Sequence, residues 1–310
     1  MPNMQIDGRR FAWSELGDGP PLVLVNGYAA SSADWDPTFT AALARSFTLI
    51  CPDNRGTGDS ELGDPDGLSV DAMADDVEAL VDELGLERPA LAGWSMGGYV
   101  VQRLALRSPE RASAIALLAT GPGGGAGVPA EPYVWEQLTD HSGTPREQAT
   151  RLIALLFPAD VASAIDAQFG QVVAEARAAF LPQTLAAQER VLDAWQAEPQ
   201  PAPSEGAPPA LVVSGELDVI APPGNADALA ALWPETIVER IAGGGHAFMA
   251  QEPEHVAASI SAFVLDRLSP PACPAPSAST VSSDSIAERR RRSASARTRS
   301  LLAVCARMSS

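Results

Sequence analysis

The chain has 310 residues, 46% hydrophobic and 19% charged, a globular composition with ample apolar material for a sizeable core. Its formal charge is −18, and every one of its 21 basic residues is arginine. So acidic a body argues against nucleic acid and anionic membrane as partners of the main domain. No stretch approaches the ~20 uninterrupted apolar residues of a membrane span. The first residues contain no apolar signal-peptide segment, so a cytoplasmic protein is expected. Three cysteines, Cys51, Cys273 and Cys305, lie far apart without metal-type spacing. Cys51, inside FTLICPD, reads as a small buried apolar residue.

The segment MQIDGRRFAWSEL predicts a hairpin turning at Asp7-Gly8. PPLVLVNG is a continuous apolar run ending in a turn, as a strand buried on both faces requires. DPTFTAALARS follows as a helix and FTLICPD as a second buried strand. Met73, Val77, Leu80, Val81 and Leu84 recur at helical spacing in the next segment. RPALAGW then reads as a strand, GGYVVQRLALRSP as a helix and ASAIALLAT as a strand. The alternation resumes late in the chain with PPALVVSGELD, PGNADALAALWP, TIVERIAGGGH and a closing helix, EPEHVAASISAFVLDRL.

Such alternation predicts an α/β fold, a mostly parallel twisted sheet with helices on both faces. Residues 1–121 and 208–268 supply this core. Residues 122–207 contain no strand pattern and predict three helices, PREQATRLIALLFP, DVASAIDAQFGQVVAEARAAF and PQTLAAQERVLDAWQ, inserted as a cap over the strand ends. From Ser269 the composition turns to Pro, Ser, Ala and Arg, with 7 arginines against 2 acids. Such a segment buries too little surface to offset its chain entropy, so residues 269–310 are expected to be a disordered basic tail.

Between a predicted strand and a predicted helix stands GWSMGG, residues 93–98. A G-x-S-x-G turn in that context presents a serine hydroxyl from a strand end, with glycines where β-carbons would clash. Ser95 is the candidate nucleophile. A serine hydroxyl needs an adjacent base, and the chain has three histidines, His141, His246 and His255. His246 is favoured because the glycine-rich loop AGGGHAFMAQEP follows the final strand. A carboxylate must orient that imidazole. Asp218, just past a strand end, is the first candidate and Glu216 the second. Backbone amides must also meet a developing oxyanion. The amide of Met96 at a helix start and that of Tyr28 in LVLVNGYAAS are the candidate donors.

These motifs resemble the α/β-hydrolase fold family over residues ~10–120 and ~208–268, through NGYAASSADWDP, CPDNRGTGDS, GWSMGG, GELDVIAPP and GGGHAFMAQEP. The resemblance is to its cofactor-free bacterial group of carboxylesterases, enol-lactonases, polyketide methyl esterases and non-haem haloperoxidases. It implies a triad of Ser95, Asp218 and His246, oxyanion amides at Tyr28 and Met96, and no cofactor or metal. It also implies structural roles for Asp53 and Arg55. Asn26 departs from the family's usual histidine, and its side-chain amide is expected to preserve the loop.

The expected activity is hydrolysis of a small apolar ester or lactone through an acyl-enzyme. Trp94, Phe248, Met249, Leu155, Leu156 and Phe157 are expected to form the pocket. Haloperoxidase or perhydrolase activity, or carbon–carbon bond hydrolysis, could run on the same triad, and a non-catalytic ligand-binding protein is the alternative of another class. Oligomeric state is not legible.

Overall fold

Asp7 and Gly8 both adopt left-handed backbone, with φ of 49° and 76°. That is the requirement of a two-residue hairpin turn, and it joins β1 (Asn3–Ile6) to β2 (Arg9–Leu16). The computed structural model describes residues 1–268, and the expected tail, 269–310, lies outside the described residues. After the hairpin come β3 (Pro21–Val25), α1 (Pro37–Leu43), β4 (Thr48–Pro52), α2 (Val70–Glu83), β5 (Ala90–Trp94), α3 (Met96–Arg107) and β6 (Ile115–Leu118). Four helices follow without a strand between them: α4 (Pro132–Leu138), α5 (Pro145–Leu156), α6 (Ala159–Ala178) and α7 (Pro182–Ala197). The chain then returns through β7 (Ala210–Gly215), α8 (Gly224–Leu232), β8 (Thr236–Ile241), α9 (Phe248–Gln251) and α10 (Pro253–Leu268).

The eight strands form one sheet in the order β1-β2-β4-β3-β5-β6-β7-β8. β1 and β2 pair antiparallel, and β3 to β8 run parallel. Strand residues alternate between two separate cores, which is why the inner strands read as unbroken apolar runs. Val23, Val25, Leu91 and Leu117 pack with Met73, Val77, Val100 and Leu104 of α2 and α3. Leu22, Leu24, Ala92 and Leu118 pack with Phe39, Leu43, Ile260 and Phe263 of α1 and α10. Burying one such leucine contributes about 1.5–3 kcal/mol. Cys51 belongs to the second core, and burial pushes its thiol up to about 12, so it stays a protonated apolar side chain.

From β3 the chain runs to one neighbour, β4, and later to the other, β5. This reversal opens a crevice at the strand ends, where ligands of parallel sheets bind. It also makes the loops after β3 and β5 neighbours, since Val25 pairs with Gly93.

In α2, Asp76, 1% exposed, holds two arginines. Arg9 reaches its Oδ1 at 2.7 Å, and Arg55 reaches Oδ2 at 2.5 Å and Oδ1 at 2.9 Å. Asp53 accepts hydrogen bonds from the amides of Ser32 and Asp59 at 2.7 and 2.8 Å. Among the described residues no helix is long and apolar enough to cross a membrane. Removing a buried carboxylate strands the cations it pairs. Asp76→Ala should therefore lower the unfolding free energy by roughly 3–5 kcal/mol, measured by urea denaturation. Glu254→Ala, which breaks the exposed pair with Arg45, should leave the urea midpoint unchanged.

Candidate active site

The glycines of GWSMGG are steric requirements. A β-carbon on Gly93 would lie 2.3 Å from Gly97 O, and one on Gly97 would lie 2.2 Å from Val25 O. One on Gly98 would meet the Thr120 side chain at 2.6 Å. Strand and helix are thus pressed together, and Ser95 takes up the turn at φ 55° and ψ −119°. Such a conformation costs about 1–3 kcal/mol and persists only when its surroundings over-determine it. The Ser95 amide donates to Leu118 O at 2.9 Å, and Ser95 O accepts from Gly98 N at 2.9 Å and Thr120 Oγ1 at 2.8 Å.

Asp218 and His246, 28 residues apart in the chain, are in direct contact. His246 Nδ1 lies 3.0 and 2.9 Å from the two carboxylate oxygens, and both residues are 3% exposed. The carboxylate is fixed in turn by the amides of Ile220 and Ala221, at 2.9 and 2.8 Å from Oδ1. With Nδ1–H donated to Asp218, Nε2 is the ring atom left to exchange a proton. The loop carrying His246 lies on β7 so closely that a β-carbon on Gly215 would sit 2.3 Å from Gly245 O. Trp94 Nε1 donates to His246 O at 3.0 Å. Ser95, Trp94, His246 and Tyr28 all line one cavity of about 480 Å³.

The other candidates for base and orienting acid lie elsewhere. His141 meets Glu189 at 2.6 Å and His255 meets Glu239 at 2.7 Å. Neither histidine lines the cavity, and Glu216 is exposed.

The loop after β3 is held from both sides. Asn26 Oδ1 accepts from Gly27 N at 2.8 Å, while its Nδ2 donates to Ser31 O at 2.7 Å. The side-chain amide of this departure from the family pattern bridges the loop. Next to Tyr28, the amide of Ala29 donates to Oε1 of the fully buried Gln188 at 2.9 Å. The Tyr28 hydroxyl donates to Glu189 at 2.7 Å, and burial, then that carboxylate, push its pKa well up. Met96 has its side chain wholly in the core. Its amide opens α3, where first-turn N–H groups have no partner within the helix.

Four of the six expected pocket residues, Trp94, Leu156, Phe157 and Met249, line the cavity. Phe248 and Leu155 do not. Phe248 is fully buried in the core beneath α10, and Leu155 packs with Val134 and Leu138. Consecutive helix residues point about 100° apart, so with Met249 and Leu156 facing the cavity, Phe248 and Leu155 just before them face the core. The reading of the sequence also missed α4 and much of the wall, including Trp35, Trp135, Ile153, Phe169 and Arg177.

The model of the alpha/beta hydrolase fold family matches residues 20–253. The chain belongs to that family. The chain spans 32–41% of the length of the first curated relatives that it matches. A longer match, 28% identical, is to the pimeloyl-[acyl-carrier protein] methyl ester esterase of Nitrosomonas europaea, over 80% of this chain and 96% of the relative. Among solved structures, a meta-cleavage product hydrolase from Pseudomonas fluorescens superimposes with a TM-score of 0.74 at 17% identity, over 86% of this chain and 98% of that one. The enol-lactonase from Burkholderia xenovorans does so with 0.68 at 25%, over 86% and 99%.

The steric reading of the turn has a direct check. Gly97→Ala should lower the unfolding free energy of the protein by about 2 kcal/mol or more, as overpacking does. Gly125→Ala, where a β-carbon meets nothing within 4 Å, should stay within about 0.5 kcal/mol. Urea denaturation of both variants measures the difference.

Proposed function

We propose that this hydrolase cleaves a carboxylic ester or lactone through an acyl-enzyme formed on Ser95. The observation that carries the reading is the buried contact of Asp218 with His246 Nδ1, at 2.9 Å, beside a serine held on a strained turn in the same cavity. Ser95 Oγ attacks the acyl carbon and passes its proton to His246 Nε2. Asp218 keeps the ring oriented and stabilises the imidazolium. The amides of Tyr28 and Met96 hold the oxyanion, the second of them aided by the positive end of α3. His246 then returns the proton to the leaving alkoxide. A water activated by the same nitrogen attacks the acyl-enzyme and releases the acid. In a lactone the leaving alkoxide stays tethered to the product.

Residues 122–207 serve as a cap in this reading. Trp135 of α4, Ile153 of α5 and Val173 of α6 face the cavity from one side, with Trp94, Ser95 and His246 on the other. The wall is largely apolar, which suits a small apolar acyl or alkyl group.

Steady-state kinetics over p-nitrophenyl esters and lactones test the proposal. Ser95→Ala should lower kcat at least about 1,000-fold with little change in KM, because it removes an interaction made in the transition state. Asp218→Asn should cost on the order of 10⁴ through the wrong imidazole tautomer. Full turnover by Ser95→Ala would sink the acyl-enzyme reading.

A further inference from the structure

Apart from His246, three ionisable side chains among Asp and Arg line the cavity: Asp34, Asp36 and Arg177. The two acids are committed to local structure. Asp34 accepts from the amide and hydroxyl of Ser31 at 2.7 and 2.8 Å, and Asp36 caps α1 through the Phe39 amide at 2.8 Å. Arg177 meets the Tyr28 side chain instead, acting on its hydroxyl as well as its ring. It stands near the end of α6, is 7% exposed, and lies over the Tyr28 ring with its guanidinium carbon 5.8 Å from the centroid. Arg9, the other buried arginine, holds Asp76. No carboxylate lies within 4 Å of Arg177 among the described residues. The acid nearest to it through Tyr28 is Glu189, whose Oε1 already accepts from the Tyr28 hydroxyl and meets His141 Nε2 at 2.6 Å.

Arginine stays protonated in proteins, and a buried charge without a counter-charge is costly to keep. A guanidinium in a ligand cavity is complementary to a carboxylate, which it binds through two parallel N–H donors. The rest of the molecule works the other way: residues 1–268 hold 14 arginines against 37 acids. Such a body repels anions at long range, so a cation inside the cavity is what admits and orients one. Its position is also chemically apt, because the Tyr28 side chain that it covers belongs to the residue whose amide is proposed above to hold the oxyanion.

We propose that Arg177 anchors a carboxylate carried by the substrate, which makes the preferred substrate an anionic ester or lactone: an apolar body with its acyl group at Ser95 and its carboxylate at Arg177. The identity of the scissile group rests on the hydrolytic reading above, whereas the carboxylate contact does not.

Binding to the full-length Ser95→Ala protein tests the contact without turnover. The probes are methyl ketones ending in a carboxylate, with methylene spacers of increasing length, and their neutral primary-amide isosteres, titrated by calorimetry. For the best spacer the carboxylate should bind about 10- to 100-fold tighter than its amide, the range of a charge-assisted pair. Arg177→Gln in the same background should abolish that preference, and Arg177→Lys should restore part of it. Urea midpoints close to that of the parent show that each variant is folded. Equal affinity for acid and amide, or a preference that survives Arg177→Gln, overturns the proposal. With Ser95 restored, the ratio of kcat/KM for matched anionic and neutral esters should fall by the same factor in Arg177→Gln. A carboxylate preference that depends on Arg177, in a protein that cleaves neither ester, supports the anchor and removes the hydrolytic reading instead.

Discussion

Helix α3 approaches strand β3 until a single β-carbon at Gly97 would lie 2.2 Å from Val25 O. Everything at the candidate site depends on that approach. It leaves no room for a relaxed turn after β5, so Ser95 bridges the gap in a backbone conformation that L-residues rarely adopt. Three hydrogen bonds to its backbone hold it there. The same geometry sets Ser95 in the wall of the cavity at the N-terminus of α3. Cores packed on both faces of the sheet resist relaxation, so the strain is paid for by burial spread over the domain rather than by any local contact.

The helices between β6 and β7 are tied into this arrangement at two loops. Gln188 and Glu189 of α7 receive the Ala29 amide and the Tyr28 hydroxyl. At the other loop, Ala247 N donates to Leu156 O at 3.0 Å, directly after His246. A β-carbon on Gly245 would lie 2.6 Å from that same carbonyl. Movement of α5 or α7 therefore bears on the histidine loop or on the loop after β3. In the proposed mechanism this couples the shape of the apolar wall to the alignment of the catalytic groups.

Much of the fold was legible in the sequence for a physical reason. Parallel strands covered on both faces must be continuous apolar runs, and VLV, LIC and LVV are such runs. Ser95, Asp218 and His246 could be picked out as candidates because each follows a strand, at a turn rich in glycine or proline. Helix α4 was not: its seven residues bury only Val134 and Leu138, a single helical repeat. α9, with four residues, is shorter still. Phe248 and Leu155 were misplaced because apolar character does not reveal the phase of a helix buried on more than one side. Asp76 looked like one acid among several on α2, and only the fold brings Arg9, 67 residues away, against it. Arg177 carried no signal at all, since α6 is only weakly amphipathic and an arginine on it reads as solvated.

The central claim is that the strained turn presents Ser95 as a nucleophile activated by His246 and Asp218. Its most direct test is labelling of the folded protein with a fluorophosphonate, followed by peptide mapping with mass spectrometry. The account predicts one stoichiometric adduct, on the peptide containing Ser95, that forms far more slowly in His246→Ala. A folded protein that stays unlabelled at Ser95, or one whose adduct maps to another residue, contradicts it.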